Sequence, residues 1–288
     1  MKNKKINHED NSLMHNDASY LIDTHCHINI MTKKTFDTPL SNENILRAKE
    51  IVADAITHNV KKIINVGTSV IESKNCILLA QFAECYAAIG VHPNDATSEW
   101  KKDIIELKKM IQEDRTNKIV GIGECGLDYH YPDYNKNRQK DAFRAQIELA
   151  LESGLPLIVH TRDAADDTLG VLDEFKSSNL KGLIHCFSED RHFAKESIER
   201  GFLIAIGGPL TYPKNEELRY VFSSVPLSSI VLETDAPYLA PQIIRGKENS
   251  PAHIATIAAF LAQLRGISIE EVTRKTTENV LKLFVKMI

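Results

Sequence analysis

From residue 20 onward, short apolar runs rich in Val and Ile alternate with longer stretches in which apolar side chains return every three or four positions. The short runs predict eight strands: Tyr20 to Asp23, Lys62 to Val66, Ala87 to Val91, Ile119 to Ile122, Leu157 to Val159, Gly182 to Ile184, Phe202 to Ile206 and Ile230 to Leu232. Between them, stretches such as "ENILRAKEIVADAITHNV" and "NKNRQKDAFRAQIELALESG" place apolar residues at i, i+3, i+4 and i+7, the mark of an amphipathic helix lying on a sheet. Strand and helix recur about every 20 to 40 residues, which argues for right-handed βαβ units and a parallel sheet. Eight such units in about 270 residues match a (β/α)8 TIM barrel, with a doubly wound open sheet as the alternative that counting leaves standing. No Pro-rich or Gly-rich linker interrupts the series. Residues 20–288 are therefore expected to form one α/β domain, preceded by a solvated tail over residues 1–19.

Composition narrows the class. A hydrophobic content of 43% is enough for a buried core. The 35 basic against 39 acidic side chains, a net charge of -4, offer no broad electrostatic track for duplex nucleic acid, so an anionic substrate needs a local positive site. The five cysteines, Cys26, Cys76, Cys85, Cys125 and Cys186, are odd in number and lack CxxC spacing, which points to a reduced, cytoplasmic setting. No apolar run approaches the ~18 residues that span a bilayer, and the first 19 residues lack the apolar centre of a secretory signal. No membrane partner is expected.

Candidate chemistry begins at "LIDTHCHINI", residues 21–30, where His25 and His27 stand two positions apart. Strand alternation places Asp23, His25 and His27 on one face, a geometry suited to a shared ion. With 11 histidines in the chain, chance alone supplies roughly 0.4 such pairs, so the pair needs partners elsewhere to mean anything. They exist: Glu124 follows strand four, His160 strand five, His185 strand six and Asp235 strand eight. In a parallel barrel the C-terminal strand ends form one rim, where barrel enzymes carry their active sites. Each residue alone is explained as a hydrogen-bonded loop residue; together they are explained by one metal site. Imidazole and carboxylate suit Zn2+, Mn2+ or Mg2+. Six side chains exceed one tetrahedral ion, which suggests two divalent metal ions bridged by a carboxylate.

His92, Arg162 and Arg245 fall in loops on the same rim, either binding substrate oxygens or bracing the loops. Asp128 has the same two readings, with capping of the following helix as its structural one. His8, His15, His58, His192 and His253 are expected at the surface or in helix packing, and His130 stays undecided. Cys26 points away from the histidine face and reads as packing between strand and helix.

The motifs "DTHCH", "GVHP", "GIGECGLDYH", "PLIVHTRDA", "IHCFS", "LETDAPYLAP" and "RGKENSP", with the closing "EEVTRKTTENVLKLF", resemble in order and spacing those of the TatD family of metal-dependent deoxyribonucleases, a branch of the amidohydrolase superfamily. The resemblance implies a (β/α)8 barrel, a two-metal site and hydrolysis of DNA phosphodiester bonds, often from a 3′ end. Carried over by position, it implies one ion on His25, His27, Glu124 and Asp235 and a second on Glu124, His160 and His185, with Glu124 as the bridge. A Glu at the bridge, where many superfamily relatives carry a carbamylated lysine, favours the nuclease branch. Glu189 departs from the family's usual glycine, and the tail has no counterpart in its pattern.

On this basis the expected function is 3′–5′ exonuclease action on single-stranded DNA ends by a monomer. Asp235 and Glu124 would be catalytic, Asp235 orienting the attacking water and accepting its proton. His92, Arg162 and Arg245 would hold phosphate oxygens. Two carboxylates against two dications would leave the rim locally positive. No aromatic-rich basic groove is evident, so close contact is expected only with terminal nucleotides. The alternatives are a metal-dependent ester hydrolase acting on aminoacyl-tRNA and a metal-binding scaffold without turnover.

Overall fold

The computed structural model describes residues 20–288, and the expected tail over residues 1–19 lies outside them. Eight strands, β1 (Leu21–Cys26), β2 (Val60–Val66), β3 (Cys85–Ile89), β4 (Ile119–Asp128), β5 (Leu157–Arg162), β6 (Gly182–Ile184), β7 (Phe202–Ile206) and β8 (Ile230–Leu232), run parallel in sequence order. The ring closes at its upper edge: Cys26 bridges Ala236, His27 N donates to Ala236 O at 2.7 Å, and Asp235 N donates to His25 O at 2.8 Å. An open sheet would leave β1 and β8 unpaired, so closure decides for the barrel.

Helices α1 (Ile28–Lys33), α2 (Asn42–Thr57), α3 (Val70–Leu79), α4 (Trp100–Glu113), α5 (Lys136–Ser153), α6 (Ala165–Asp173), α7 (Arg191–Glu199), α8 (Glu216–Ser224), α9 (Ile254–Arg265) and α10 (Ile269–Leu283) connect and surround the strands. Their starts are written locally. Ser41 and Asn44 form a reciprocal capping box on α2, and Asn135, Asp190 and Ser268 each accept a backbone N–H at the start of α5, α7 and α10. Gly154 and Gly266 end α5 and α9 in the left-handed conformation.

Two apolar layers hold the wall. Ile22, Ile64, Ala88, Val120, Ile158, Leu183, Ala205 and Val231 fill the lower barrel, and Val280, Phe284 and Met287 close its floor. A larger cluster, including Leu21, Cys26, Ile63, Ile89, Ile122, Cys125 and Val159, packs the outer wall against the helices. Cys26 thus faces the helical layer.

β2 begins two residues before its apolar run, at Val60, and three strands run on past the C-terminal ends of theirs. β1, β4 and β5 continue through Cys26, Asp128 and Arg162, so His25, Glu124 and His160 lie within strands rather than beyond their ends. The sheet's backbone hydrogen bonds are indifferent to side-chain polarity, which is why the apolar runs stop short. β3 also sits two residues earlier than its apolar run, at Cys85–Ile89.

Register shifts lie low in the barrel, at Leu21/Ile22 and at Ala87/Ala88, and two more bear on the rim. In β1 the register steps from Asp23 opposite Ile63 to Cys26 opposite Asn65, and in β4 from Ile122 opposite Leu157 to Cys125 opposite Val159. Each irregularity adds one residue and reverses the in-and-out phase. Ile22 therefore faces the barrel interior, yet Cys26, four positions on, faces the helices, and Ile122 and Cys125, three positions apart, both face the helices. The residues between them, His25 and Glu124, are turned inward. Gly123 makes the second irregularity possible: its φ is +155°, and an added Cβ would lie 2.6 Å from Ile158 O.

Candidate metal centre

His25 and His27, from β1 and its C-terminal edge, meet with their Nε2 atoms 3.1 Å apart. Glu124 Oε2 lies 3.4 Å from His25 Nε2 and 3.9 Å from His27 Nε2, and Asp235 Oδ1 lies 3.8 and 3.4 Å from the same two atoms. The second oxygen of Glu124 faces the opposite way: Oε1 is 2.8 Å from His160 Nδ1, 3.5 Å from His185 Nε2 and 3.6 Å from His92 Nε2. The six residues at the strand ends are thus gathered around one carboxylate whose two oxygens face two separate groups.

The donor set fits divalent ions. Ligand atoms on a tetrahedral ion with bonds of about 2.0–2.2 Å stand roughly 3.3–3.6 Å apart, close to the separations here. His25 Nδ1 and both ring nitrogens of His160 are buried without a hydrogen bond. His160 Nδ1 sits close to Glu124 Oε1 but not aligned as a donor, an arrangement that fits neighbouring ligands of one cation better than an N–H···O contact. His25, His27 and Asp235 form one ligand group, and Glu124, His160 and His185 another.

Surrounding bonds hold the rings. His27 Nδ1 pairs with Val66 O at 2.9 Å, which leaves Nε2 facing the cluster. His185 Nδ1 is 3.1 Å from Glu233 Oε1, and the same carboxylate oxygen accepts Cys186 N at 2.7 Å. Glu233 is fully buried and was not among the candidates; its signal was its place two residues before Asp235 in "LETDAP". Asp128 Oδ2 accepts from Asn94 Nδ2 at 2.9 Å and lies 3.4 Å from His160 Nε2. Asn135, not Asp128, caps α5.

Asp23, expected on the histidine face, is displaced by the β1 irregularity. Its carboxyl instead accepts Thr234 N at 2.9 Å and Thr234 Oγ1 at 2.5 Å, and burial pushes it up to about 8. The electrostatics of the cluster run the other way. Burial disfavours ionised Glu124, but His185, His92, His160 and His25 outweigh it and hold the carboxyl well below its ordinary range. Asp235 is likewise lowered against burial by His27, His185 and His25. Burial opposes the charged form of His185, yet Glu233 and Glu124 push it up to about 10. His92 has weaker support, and burial takes it down to about 3.

His92 therefore joins the cluster, whereas Arg162 and Arg245 do not touch it. Their guanidinium groups lie over Tyr131 and Tyr212, 5.8 and 4.0 Å from the ring centroids. His130 pairs with Asp163 at the surface, His58 pairs with Asp54 on α2, His192 is exposed, and His253 bonds Asn249. His8 and His15 lie outside the described residues. Glu189 is half-buried between β6 and α7, where burial with the charges of Asp163 and Asp190 raises its carboxyl.

A closed parallel barrel with histidines and carboxylates from five strands gathered at its C-terminal rim defines the class: a barrel hydrolase that works with divalent metal. The chain belongs to the TatD family, whose profile, described as TatD related DNase, matches residues 22–285. It is 34% identical over 270 residues to the Bacillus subtilis "Uncharacterized metal-dependent hydrolase YabD", covering 92% of this chain and 98% of that one. It is 33% identical over 250 residues to the "3'-5' ssDNA/RNA exonuclease TatD" of Citrobacter koseri, covering 85% and 95%. Among solved structures, the TatD homologue YJJV of Escherichia coli K12 superposes with a TM-score of 0.83 at 27% identity, covering 93% of this chain and 99% of that one.

Proposed function

We propose that this hydrolase cleaves phosphodiester bonds at single-stranded DNA ends in the 3′–5′ direction, with two divalent ions at the rim. His25, His27, Glu124 and Asp235 would hold one ion, and Glu124, His160 and His185 the other. The observation that carries the reading is the division of Glu124, whose Oε2 faces one histidine pair and whose Oε1 faces the other. The Citrobacter koseri relative, named as a single-strand exonuclease, supports the choice of substrate. Bound divalent ions would supply Lewis acidity, withdrawing charge from a phosphate oxygen and easing deprotonation of water near neutral pH.

The chain's own groups do the rest. Asp235 retains 13% side-chain exposure against 5% for Glu124, so it is the carboxylate that reaches incoming water, orients it and accepts its proton. Glu233 and Asp128 fix the rings of His185 and His160 by their contacts. His92 Nδ1 accepts from Asn94 N, so the neutral ring carries its proton on Nε2, beside Glu124 Oε1, where it would donate to a phosphate oxygen. Four carboxylates, Glu124, Asp128, Glu233 and Asp235, surround the rim rather than the two first counted. Against two dications they balance formally, so the expected positive field does not arise from the cluster itself. Attraction for phosphate then rests on Arg162 and Arg245, both exposed on the rim loops.

The test is reconstitution. Metal-free protein is supplied with Mg2+, Mn2+ or Zn2+ and given a single-stranded oligonucleotide labelled at either end. Stepwise shortening from the 3′ end, lost in Glu124→Ala and His160→Ala, is the expected result. Full activity in either variant would sink the assignment, and turnover of aminoacyl esters without any of oligonucleotides would move the substrate to carboxylic esters.

A further inference from the structure

Beside the centre lies a cavity of about 230 Å3, below the roughly 300 Å3 at which sites for drug-sized ligands begin. It is separated from the histidines by one residue. Asn94, on its wall, donates to Asp128 Oδ2 at 2.9 Å, and the same oxygen lies 3.4 Å from His160 Nε2. Asn94 N also donates to His92 Nδ1 at 3.2 Å. A ligand whose phosphate sits among these histidines therefore places its next group at this opening.

The lining is aromatic and cationic. Tyr131 and Tyr134 stay 54% and 39% exposed even with Arg162 beside the first ring and Tyr129 behind the second. Tyr134 is braced from behind: its ring stacks on Tyr129 at 4.6 Å and 16°, and Tyr129 Oη donates to Asp167 at 2.9 Å. One wall of the cavity is thus a pre-positioned stacking surface. Arg138 forms no ion pair among the described residues, and its Nε is buried without a hydrogen bond. Asp133, also on the wall, would repel a phosphate in the cavity but would accept from an exocyclic amine.

We propose that this cavity binds the nucleobase of the nucleotide whose phosphate occupies the centre, an inference that rests on the reading of the centre as acting on nucleic-acid ends. Stacking on Tyr134 and Tyr131 accepts any base, because every base offers a π face. Arg138 supplies N–H donors to ring nitrogen and carbonyl oxygen. The small volume admits one base rather than a run of them, in keeping with close contact at the terminal nucleotide alone.

The test compares two ligands by calorimetry on the full-length, metal-loaded protein: deoxyadenosine 5′-monophosphate and 2-deoxyribose 5-phosphate, which lacks the base. The nucleotide is expected to bind about 10-fold more tightly or better. In Tyr134→Ala this advantage collapses, and in Arg138→Gln it shrinks about 3-fold or more. Arg138→Gln carries the comparison if circular dichroism shows that Tyr134→Ala is misfolded. Equal binding of the two ligands by the wild type, or an undiminished preference in a folded variant, overturns the proposal. Oligonucleotide turnover in the same preparation separates the two readings. Turnover without base preference removes the cavity's role alone, whereas base preference without turnover removes the exonuclease reading alone.

Discussion

Glu124 is the residue on which the rim turns, because a carboxylate alone among the side chains here offers two equivalent oxygens to two histidine groups. Its neighbours set its orientation as much as its own chemistry does. Gly126, two residues on, has φ +138°, and a Cβ there would fall 2.0 Å from His160 O. Gly126→Ala should therefore destabilise the fold by about 3 kcal/mol or more, read by urea unfolding. Glu233→Gln keeps the shape but weakens the hold on His185. Divalent metal affinity, measured by titration calorimetry, should fall roughly 10- to 100-fold with the unfolding temperature of the metal-free protein little changed. At this scale the spacing of His25 and His27 drew attention, and only Glu124, His160, His185 and Asp235 gave it meaning. The exclusion of Asp23 was not, because it depends on an extra residue in β1 that no side-chain pattern announces.

Between elements, polar contacts pin the loops that frame the rim. Glu72 on α3 is 1% exposed and accepts from Lys33 Nζ at 2.6 Å, Asn29 Nδ2 at 2.8 Å, Asn75 Nδ2 at 3.0 Å and Asp37 N at 2.6 Å. Glu72→Ala would leave a buried ammonium and several donors unpaired, at about 3–5 kcal/mol of stability in chemical denaturation. On the other side, α5 and α6 are joined through Asp167, which meets Lys136 at 2.6 Å and Lys140 at 2.7 Å. Burial is the largest single influence and opposes its charge, but Lys136, Lys140 and Tyr129 together outweigh it and hold the carboxyl down at about 2, against 3.8 unperturbed. A depressed carboxyl contributes stability above its unfolded value, and that contribution is lost as pH falls from about 4 towards 2. Asp167→Asn should flatten this part of the acid-unfolding profile. Helix starts were readable at this level, since Ser41, Asn135, Asp190 and Ser268 cap from their own segments. The full lengths of β4 and β5 were not, because their last turns inward are polar.

The whole barrel is closed at its floor by apolar packing and at its rim by polar convergence. Phe284, fully buried beneath the strands, packs against Gly121, where an added Cβ would meet its ring at 3.3 Å. Phe284→Ala should lose about 3–5 kcal/mol by opening a cavity under all eight strands. The rim should respond instead to metal. Each ion at 100 times its dissociation constant should add about 2.7 kcal/mol to unfolding, and a chelator should remove that increment from wild type but far less from Glu124→Ala. Differential scanning calorimetry with and without chelator reads both.

The sequence by itself determined the alternation of strand and helix, the identity of the metal-type side chains, and their order along the chain. Each is a local property, carried by hydropathy period and residue type within a few neighbours. Only the tertiary structure decided which acids stand at the centre, bringing Glu233 and Asp128 to the histidines and sending Asp23 to Thr234. It alone placed Tyr131, Tyr134 and Arg138 around a cavity next to His92. The physical reason is that closure of the ring brings together residues as distant in the chain as His25 and Asp235. Two added residues in β1 and β4 then reverse which side chains face inward, and neither event leaves a periodic trace in the sequence.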